Sequence, residues 1–564
     1  MPFILKKRRK TMKGKNVKKV LSAVLAGTML LSLAACGNGN EGNAGSSGEK
    51  TKSEDQVLSI ALGEEPTILD PYQIQDDNAF NVSYAVTEPL FRIAGEDGKD
   101  WEPGLATEFE ENEDATVYTV TLREDAKWSD GTPITAEDVV YSFQRVVDPS
   151  FASPKANDYF YLKNAEAIIK GEKDKQELGV KALDDYTVEF VLEKPVDFFV
   201  DCLKTPGWAP IQKEAGEKYQ DLYGAEPENM VFSGPFVVSE WVHDNSITLK
   251  KNDNYWDAKN VTLEEIQISL TSDKNAIQGM YEAGDLDMQR IGTELLEQYK
   301  DSPELREEGR LSVSFIEFNP KVEFLNNIKI REALSIAFDR KAYAANVVKN
   351  EKLAAYGMVP YGIRGTENGD FREQQGDLVK DAATDPKAID RAKALLDEGL
   401  KEIGKSKKEM EDFLEILCVD SEGSKLQAQA VQAMWKDNLD LELTVTPMQT
   451  KMLIPMLTEG TFHCVIGGAN TASYPDASEF LSFIYDEGKM DDPQFTEMWE
   501  TSLSQIGDER IQTLKEVETY VLDQYVYIPQ NFVENNYVIS EKVEGLNIWP
   551  FGSEYDFKNV VMYE

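Results

Sequence analysis

The residues of this chain that could carry chemistry include one phosphate-loop pattern. Gly399, Gly404, Lys405 and Ser406 fit the spacing G-x-x-x-x-G-K-S. A phosphate loop requires a buried strand before it and a helix after it. Here residues 388–400 have the pattern of an amphipathic helix that Gly399 helps to end, and the residues after Lys405 are mostly charged. We therefore interpret the match as chance and expect no cofactor.

Metal and nucleophile chemistry have little support in the sequence. The chain contains only His243 and His463, whereas a catalytic zinc site usually uses two or three histidines. Three cysteines after the amino-terminal segment, Cys202, Cys418 and Cys464, allow at most one intramolecular disulfide. No G-x-S-x-G nucleophile elbow occurs, and neither histidine has a triad context. We expect no metal site, no catalytic residue and no enzyme activity; a surface hydrolase is an alternative that rests only on abundant carboxylates.

Cys36 is the candidate for covalent modification. Nine Lys and Arg residues precede the uncharged apolar run 20–33, and Leu33-Ala34-Ala35-Cys36 follows it. These are the parts of an export signal, and the run is shorter than the ~20 residues that span a bilayer. The ending resembles the lipobox of bacterial lipoproteins, which implies removal of residues 1–35 and acylation of Cys36 with palmitate-type chains. Two acyl chains anchor a protein stably; the alternative is an uncleaved membrane anchor, and Met12 is an alternative start.

The charge of the chain limits its partners. It holds 101 acidic and 59 basic residues, and its formal charge is -42. Because nine basic and no acidic residues precede Cys36, the remainder is even more acidic, at -51, which excludes nucleic acid as an expected partner. Residues 36–55 are rich in Gly, Asn, Ser and Glu and are predicted to form a flexible tether. We expect the body to lie outside a Gram-positive-type cell, anchored to the membrane by lipid.

Hydrophobic periodicity predicts a mixed α/β protein, in which strands and helices alternate along the chain. A capping box formed by Thr135 and Asp138 marks one helix start. The predicted strands are 57–62, 116–122, 441–446 and 525–539, with hairpins pairing 180–181 with 187–192 and 236–241 with 246–251. The predicted helices are 136–146, 424–438 and 511–524.

A series of motifs, in order, resembles the oligopeptide-binding lipoproteins of ATP-driven (ABC) peptide importers, the family 5 extracellular solute-binding proteins. The most specific block is Trp128-Ser129-Asp130-Gly131. The series runs through Leu69-Asp70-Pro71, Glu88-Pro89-Leu90, Pro103-Gly104-Leu105-Ala106, residues 122–133, residues 178–185, Ser233-Gly234-Pro235-Phe236, Asn254-Tyr255-Trp256, Arg331-Glu332-Ala333-Leu334 and Asp339-Arg340.

This resemblance implies a fold, a ligand and partners. The fold is a two-lobed α/β periplasmic-binding-protein-like architecture (class II, cluster C), with an extra domain inserted in the first lobe and ligand enclosed between hinged lobes. The expected partners are a peptide ligand and the permease subunits of an ABC importer, and the protein is expected to be a monomer. The implied divisions are 56–85, 186–275 and 525–564 for lobe 1, 86–185 for the inserted domain and 276–524 for lobe 2.

The ligand site departs from the family pattern. Members commonly hold a peptide's free amine with an aspartate in a segment like Gly-Trp-x-Ala-Asp-Tyr. Alignment on Tyr474 puts Ser473 at the aspartate position and Asn470 at the tryptophan position. A serine cannot neutralise an ammonium group, and an unpaired buried charge is costly. We predict Ser473, Asn470 and Tyr474 as ligand-contacting residues of the cleft.

Another acid is therefore needed if the amine is bound. Asp476 is one candidate, although it also fits an ordinary turn aspartate. Asp76 and Asp77 are others, because the resemblance places Gln75 to Asp77 along the ligand backbone. A ligand without a free amine, such as a blocked or cyclic peptide, a signalling peptide or a sugar, is the alternative. Residues 159–161 could line the cleft or belong to the core.

Overall fold

The computed structural model describes residues 50–95, 97–381, 383–385, 387–486, 490 and 492–564. The predicted export signal, Cys36 and most of the predicted tether lie outside the described residues. Within the described ranges, no helix combines the length and apolar character needed to cross a bilayer.

Most strands belong to a single long sheet. The strands are β1 (Val57–Leu62), β2 (Phe91–Ala94), β3 (Asp100–Pro103), β4 (Ala106–Glu111), β5 (Val117–Leu122), β6 (Val180–Asp184), β7 (Thr187–Val191), β8 (Phe236–Val242), β9 (Ser246–Lys251), β10 (Glu265–Leu270), β11 (Met288–Ile291), β12 (Leu305–Phe318), β13 (Glu415–Val419), β14 (Thr444–Met448), β15 (Cys464–Thr471), β16 (Tyr527–Ile539), β17 (Val543–Glu544), β18 (Asn547–Ile548), β19 (Tyr555–Asp556) and β20 (Val561–Met562). The long sheet has the order β14-β13-β15-β12-β16-β11-β1-β10-β9-β8.

The long strands β12 and β16 join the two halves of this sheet. β16 pairs with β11 on one side and with β12 on the other, and β12 continues to β15. A separate four-stranded sheet, β4-β5-β7-β6, has three strands within residues 86–185, the predicted inserted domain, and its fourth strand, β7, just after them. In the long sheet, the pairing of β12 with β16 joins the two halves, as expected where two lobes are joined by a hinge.

Helices pack with the strands, and buried apolar side chains form several cores within the described residues. The helices are α1 (Asp77–Val86), α2 (Ala136–Val146), α3 (Ala165–Ile169), α4 (Phe199–Cys202), α5 (Lys213–Tyr219), α6 (Lys274–Ala283), α7 (Leu296–Tyr299), α8 (Ile328–Ile336), α9 (Arg340–Tyr343), α10 (Phe371–Gln375), α11 (Ala388–Glu402), α12 (Lys407–Phe413), α13 (Glu422–Leu439), α14 (Thr450–Glu459), α15 (Ser482–Asp486), α16 (Pro493–Ser502) and α17 (Gly507–Asp523). One core is built mainly from residues 58–268, and another from residues 316–466. A further large core combines residues of both parts of the chain, among them Tyr84, Ile93, Leu311 and Phe551. Burial of apolar surface therefore stabilises each part and also holds the two parts together.

The predicted elements with clear periodicity are confirmed. β1, both hairpins and α2 lie where expected, and the capping box of Thr135 and Asp138 is formed. The strand predicted over 441–446 is wrong in its start, because it begins at Thr444. Leu441 and Leu443 are buried in the connection before it, so their alternation reflected core packing in a loop.

The role predicted for Gly399 in ending a helix is also wrong. α11 continues through it to Glu402, and Gly404, with φ +67°, follows the helix. A Cβ on Gly399 would lie 2.7 Å from a side-chain carbon of Ile330, so this glycine permits close packing of α11 on α8. The phosphate-loop pattern thus starts inside a helix, where no phosphate loop begins.

Candidate functional site

A cavity of about 180 Å³ lies where the end of β15 faces α1 and residues 155–208. Thr471, Ala472 and Ser473 form one side of it. Asp77 and Asp158 line the same space. Residues from three distant parts of the chain thus meet here, which makes this small cavity the first candidate for a ligand site.

Ser473 is placed as predicted, and an acid lies directly behind it. The Ser473 N–H donates to Glu479 Oε2 at 2.8 Å, and Asn470 Nδ2 donates to the Glu479 carbonyl oxygen at 2.6 Å. Burial raises the pKa of Glu479 to about 7. Asn470 therefore holds the turn in shape, while the Ser473 side chain stays exposed at the cavity.

Tyr474 lies in a contact across the mouth of the cleft, which we call the rim contact: Asp197, Phe198 and Tyr161 on one side, and Tyr474, Arg510 and Gly507 on the other. The Phe198 and Tyr474 rings stack with centroids 5.2 Å apart. The Gly507 N–H donates to Asp197 Oδ2 at 2.7 Å. Aromatic stacking and hydrogen bonds across the gap favour the closed arrangement.

Asp476 is not available to a ligand amine. Arg510 donates to both of its carboxylate oxygens at 2.8 Å. Burial alone would raise the pKa of Asp476, but Arg510 outweighs it and holds that pKa below its ordinary value. The same arginine lies over the Phe198 ring at 4.6 Å. Asp476 is therefore a structural ion-pair partner that positions Arg510 at the rim contact.

The three residues of the early segment take different positions. The Gln75 side chain is exposed and lines neither cavity. Asp76 is the N-cap of α1 and accepts from the Ala79 N–H at 2.8 Å and from the Thr67 hydroxyl at 2.7 Å. Asp77 follows it and lines both cavities. Because Asp76 already supplies the cap, Asp77 is left with its carboxylate toward the cleft.

Sequence reasoning missed Asp158, Lys155 and Arg310, which also line the small cavity. Lys155 Nζ lies 3.8 Å from Asp158 Oδ2. Arg310 donates to the carbonyl oxygens of Trp549 and Gly552, and its Nε lies 3.6 Å from Glu554. No motif marks these residues, since their proximity arises from folding of distant segments.

A larger cavity of about 720 Å³ shares the lining residue Asp77 with the small one. It is lined by the segment after β1, the start of α1, and parts of β11 and β16. Its charged lining consists of Glu64, Glu65, Asp76, Asp77, Glu534, Glu554, Lys274 and Arg290. Two cavities with a common lining residue fit an extended ligand that reaches both.

The aromatic residues 159–161 divide between core and cleft. Tyr159 is buried and stacks on Trp208 at 4.3 Å, and the Phe160 side chain is exposed. Tyr161 lies with its hydroxyl 3.4 Å from that of Tyr474. Within the described residues, Cys202, Cys418 and Cys464 are free and buried, and no group of His, Cys, Asp or Glu is arranged to hold a metal ion.

Comparison with known proteins places the chain in a family. Residues 100–492 match the family described as bacterial extracellular solute-binding proteins, family 5 Middle. The chain belongs to the family 5 extracellular solute-binding proteins. The resemblance inferred from the ordered motifs is thereby confirmed.

Individual relatives of this solute-binding protein span most of its length. The oligopeptide-binding protein OppA of Bacillus subtilis is 30% identical over 553 residues, covering 96% of this chain and 98% of the relative. The structure of Listeria monocytogenes OppA bound to peptide is 26% identical with a TM-score of 0.78, covering 91% of this chain and 100% of that one. Haemophilus influenzae OppA in complex with the peptide RPPGFSPFR gives the same identity, TM-score and coverage. The two-lobed α/β fold predicted from the resemblance is confirmed.

Proposed function

We propose that this protein is the substrate-binding component of an ABC importer and captures oligopeptides between its lobes. The observation that carries the proposal is the pair of cavities, about 720 and 180 Å³, that share Asp77 and are lined in part by β12 and β16, the strands that join the two halves of the sheet. Relatives named for oligopeptide binding match it over nearly their whole length. An extended peptide would be bound mainly through its backbone.

Peptide capture requires no chemical step, and the protein acts as a carrier. Closure across the rim contact would enclose the ligand and present a single shape to the permease. We also propose that ligand contacts come from Ser473 and Asp77 at the small cavity. Asn470, Tyr474 and Asp76 would support the site indirectly, and Asp476 would act only through Arg510.

The direct test is identification of what the protein carries. Mass spectrometry of material released by denaturing the purified protein should show peptides, unchanged in mass after prolonged incubation with the refolded protein. A co-purifying sugar or other non-peptide solute would contradict peptide capture. Cleavage of the bound peptide would contradict the carrier role and favour a hydrolase.

We further propose that Cys36 is lipidated and that residues 36–55 tether the body to the outer face of the membrane. A Cys36→Ala variant should lose the acyl chains and be released into the culture medium, whereas the unaltered protein stays with the membrane fraction. Retention of the variant at the membrane would contradict the lipid anchor. A Cys202→Ala variant, which changes a buried free cysteine of the body, serves as the matched control.

A further inference from the structure

The loop that follows β1 forms part of the wall of the larger cavity, and we call residues 63–67 the wall loop. The members of this loop that line the cavity are Gly63, Glu64, Glu65 and Thr67. The start of α1 holds one side of the loop. The Thr67 hydroxyl donates to Asp76 Oδ2 at 2.7 Å, and the Asn78 side chain donates to the Glu64 carbonyl oxygen at 2.8 Å.

The tip of the β8–β9 hairpin holds the other side of the wall loop through the carboxylate of Glu65. Trp241 Nε1 donates to Glu65 Oε1 at 2.6 Å, and the Asp244 N–H donates to Glu65 Oε2 at 3.0 Å. The Nδ1 atom of His243 lies 2.6 Å from Glu65 Oε1. The Nε2 atom of the same ring lies 3.2 Å from Glu226 Oε1, in the segment before β8. His243 therefore connects acids from two separate segments of the chain.

The two contacts of His243 require one protonation state. A neutral imidazole carries a proton on one ring nitrogen only, and its second nitrogen is an acceptor. In the neutral form, one of the two carboxylates would therefore face a lone pair at hydrogen-bond distance, with no proton between the two atoms. Only the imidazolium donates to Glu65 and to Glu226 at the same time. The bridge from the wall loop to the segment before β8 is thus complete only when His243 is protonated.

The groups around His243 favour its protonated form. Hydrogen bonds to Glu65 and Glu226 raise the pKa of His243 above its ordinary value of 6.5. Among the described residues, His243 is the only cation within ion-pair distance of either acid. The other side chains at the hairpin tip are the acid Asp244 and the neutral ring of Trp241, whose centroid lies 5.1 Å from that of His243.

The sign of the pH dependence follows from these groups. Because the pKa of His243 is raised in the folded protein, the bridge is complete below pH 6.5 and is lost as pH rises through the folded value. Burial alone would raise the pKa of Glu65, but hydrogen bonds from His243, Asp244 and Trp241 hold that pKa below 4.5. Glu65 therefore stays charged over the range in which His243 titrates.

We infer that His243 is a pH-sensitive clamp on the wall of the ligand cavity: its imidazolium bridges Glu65 and Glu226, and its neutral form releases one of them. This inference rests on the proposed function, because its consequence is a change in peptide affinity. A wall loop that is held less firmly costs more to order around a ligand. The protein should therefore bind peptides more tightly at mildly acidic than at mildly alkaline pH. Trp241 and the Asp244 N–H hold Glu65 in both states, which limits the size of the effect.

The test measures peptide affinity by calorimetry at about pH 5.5 and about pH 8.5, on either side of the ordinary histidine range. The probe is a synthetic pool of tri- to hexapeptides composed of Ala, Leu, Ser and Tyr. The full chain is purified in detergent and stripped of ligand by reversible unfolding. The quantity compared between proteins is the pH ratio, the affinity at the lower pH divided by that at the higher pH. Glu479 and the amines of the peptides contribute equally to this ratio in every protein.

His243→Gln removes the titrating group. The pH ratio of the unaltered protein should exceed that of His243→Gln by about 2- to 5-fold, the range expected for a half-exposed charged contact. Glu240→Gln, which changes an exposed acid on β8, is the matched control and should keep the unaltered ratio.

Glu226→Gln distinguishes the clamp from general damage to the hairpin. In this variant the Nε2 atom of a neutral His243 can accept from the glutamine amide while Nδ1 donates to Glu65. The wall loop then stays held at both pH values. The pH ratio should therefore fall to that of His243→Gln, while the affinity at the higher pH should be at least that of the unaltered protein.

The protonation of His243 can also be measured without ligand. The chain contains only two histidines, so an NMR titration of protein made with isotope-labelled histidine shows two signals. The signal missing from His243→Gln identifies His243. Its pKa should lie above 6.5 in the unaltered protein and should fall in Glu226→Gln.

The possible failures are distinguishable. Equal pH ratios in the unaltered protein and in His243→Gln would overturn the inference and leave peptide capture standing. A pKa of His243 at or below 6.5 would overturn it as well, and so would a loss of the ratio in Glu240→Gln as large as that in Glu226→Gln. Failure of the unaltered protein to bind the pool at either pH would overturn the inference together with the proposed function.

Discussion

The rim contact and the small cavity lie close together on the cleft, but they differ in how their charges are compensated. At the rim contact, Arg510 pairs with Asp476, and Asp197 accepts from a backbone N–H. In the small cavity, the Asp77 and Asp158 side chains are exposed, and Asp158 Oδ2 lies 3.8 Å from Lys155 Nζ. Buried charges need partners from the protein, whereas exposed charges are compensated largely by water and remain accessible to a ligand.

Removal of Arg510, the cation of the rim contact, should have the largest effect on stability. Arg510→Met would leave Asp476 buried without its partner, a change that typically costs about 3–5 kcal/mol. We expect a correspondingly lower free energy of unfolding, measured by denaturant titration. Lys408→Met, which breaks an exposed pair with Asp412, should have little effect. Equal stability of the two variants would show that the rim contact does not hold the fold.

The aromatic part of the rim contact should affect closure more than folding. Phe198→Ala removes the ring that stacks on Tyr474 and lies under Arg510. Since an aromatic pair contributes about 0.5–1.5 kcal/mol beyond its buried area, we expect peptide affinity to weaken about 10-fold or less. With saturating peptide, the radius of gyration of Phe198→Ala, measured by X-ray scattering, should stay nearer its ligand-free value than that of the unaltered protein does.

Phe160→Ala is the matched control for that experiment, because Phe160 is an exposed aromatic residue on the same side of the cleft. It should bind peptide and close as the unaltered protein does. If both substitutions changed affinity equally, the stacking of Phe198 on Tyr474 would have no specific role in closure.

A carboxylate added to the small cavity should sharpen the comparison further. Ser473→Asp puts an acid on the β15 side of this cavity. We expect it to raise the preference for free-amine over Nα-acetylated peptides several-fold, measured by calorimetry. Ser473→Asn, which adds similar volume without charge, should not raise that preference. An equal rise in both variants would show that packing, not charge, determines the preference.

The sequence predicted the fold better than the site, for physical reasons. Periodic burial and capping act locally, so β1, α2 and the hairpins could be located from residue order alone. Ser473 could be singled out because its neighbours Tyr474 and Phe480 fix its alignment. Asp158 could not, because only folding brings its segment to the same cavity as Asp77 and Ser473.

Asp476 is a residue that the sequence proposed for the site but that the structure gives another role. Its position in the chain made it a candidate for amine binding, but its partner Arg510 lies 34 residues further along, on α17. Nothing in the local sequence of either residue indicates that pair. The role of a carboxylate is thus set by which cation reaches it in the folded chain, and only the three-dimensional structure separates Asp476 from Asp77.

The smallest expected effect is on pH dependence, through Glu479. Its ordinary pKa of 4.5 is raised to about 7 in the folded protein, so the folded state keeps a proton that the unfolded state releases between these values. Stability from this group is therefore present at low pH and is lost as pH rises toward 7. Glu479→Gln removes this loss because glutamine does not ionise. Its amide oxygen can still accept from the Ser473 N–H.

The thermal unfolding midpoints of Glu479→Gln and of the unaltered protein should coincide near pH 4.5. Near pH 8 the midpoint of Glu479→Gln should be a few degrees higher. The comparison is made as a difference because other carboxylates give both proteins a shared pH dependence. Glu214→Gln, an exposed substitution on α5, should show no such difference. A constant offset between the two proteins at all pH values would show that Glu479 is ionised in the folded protein.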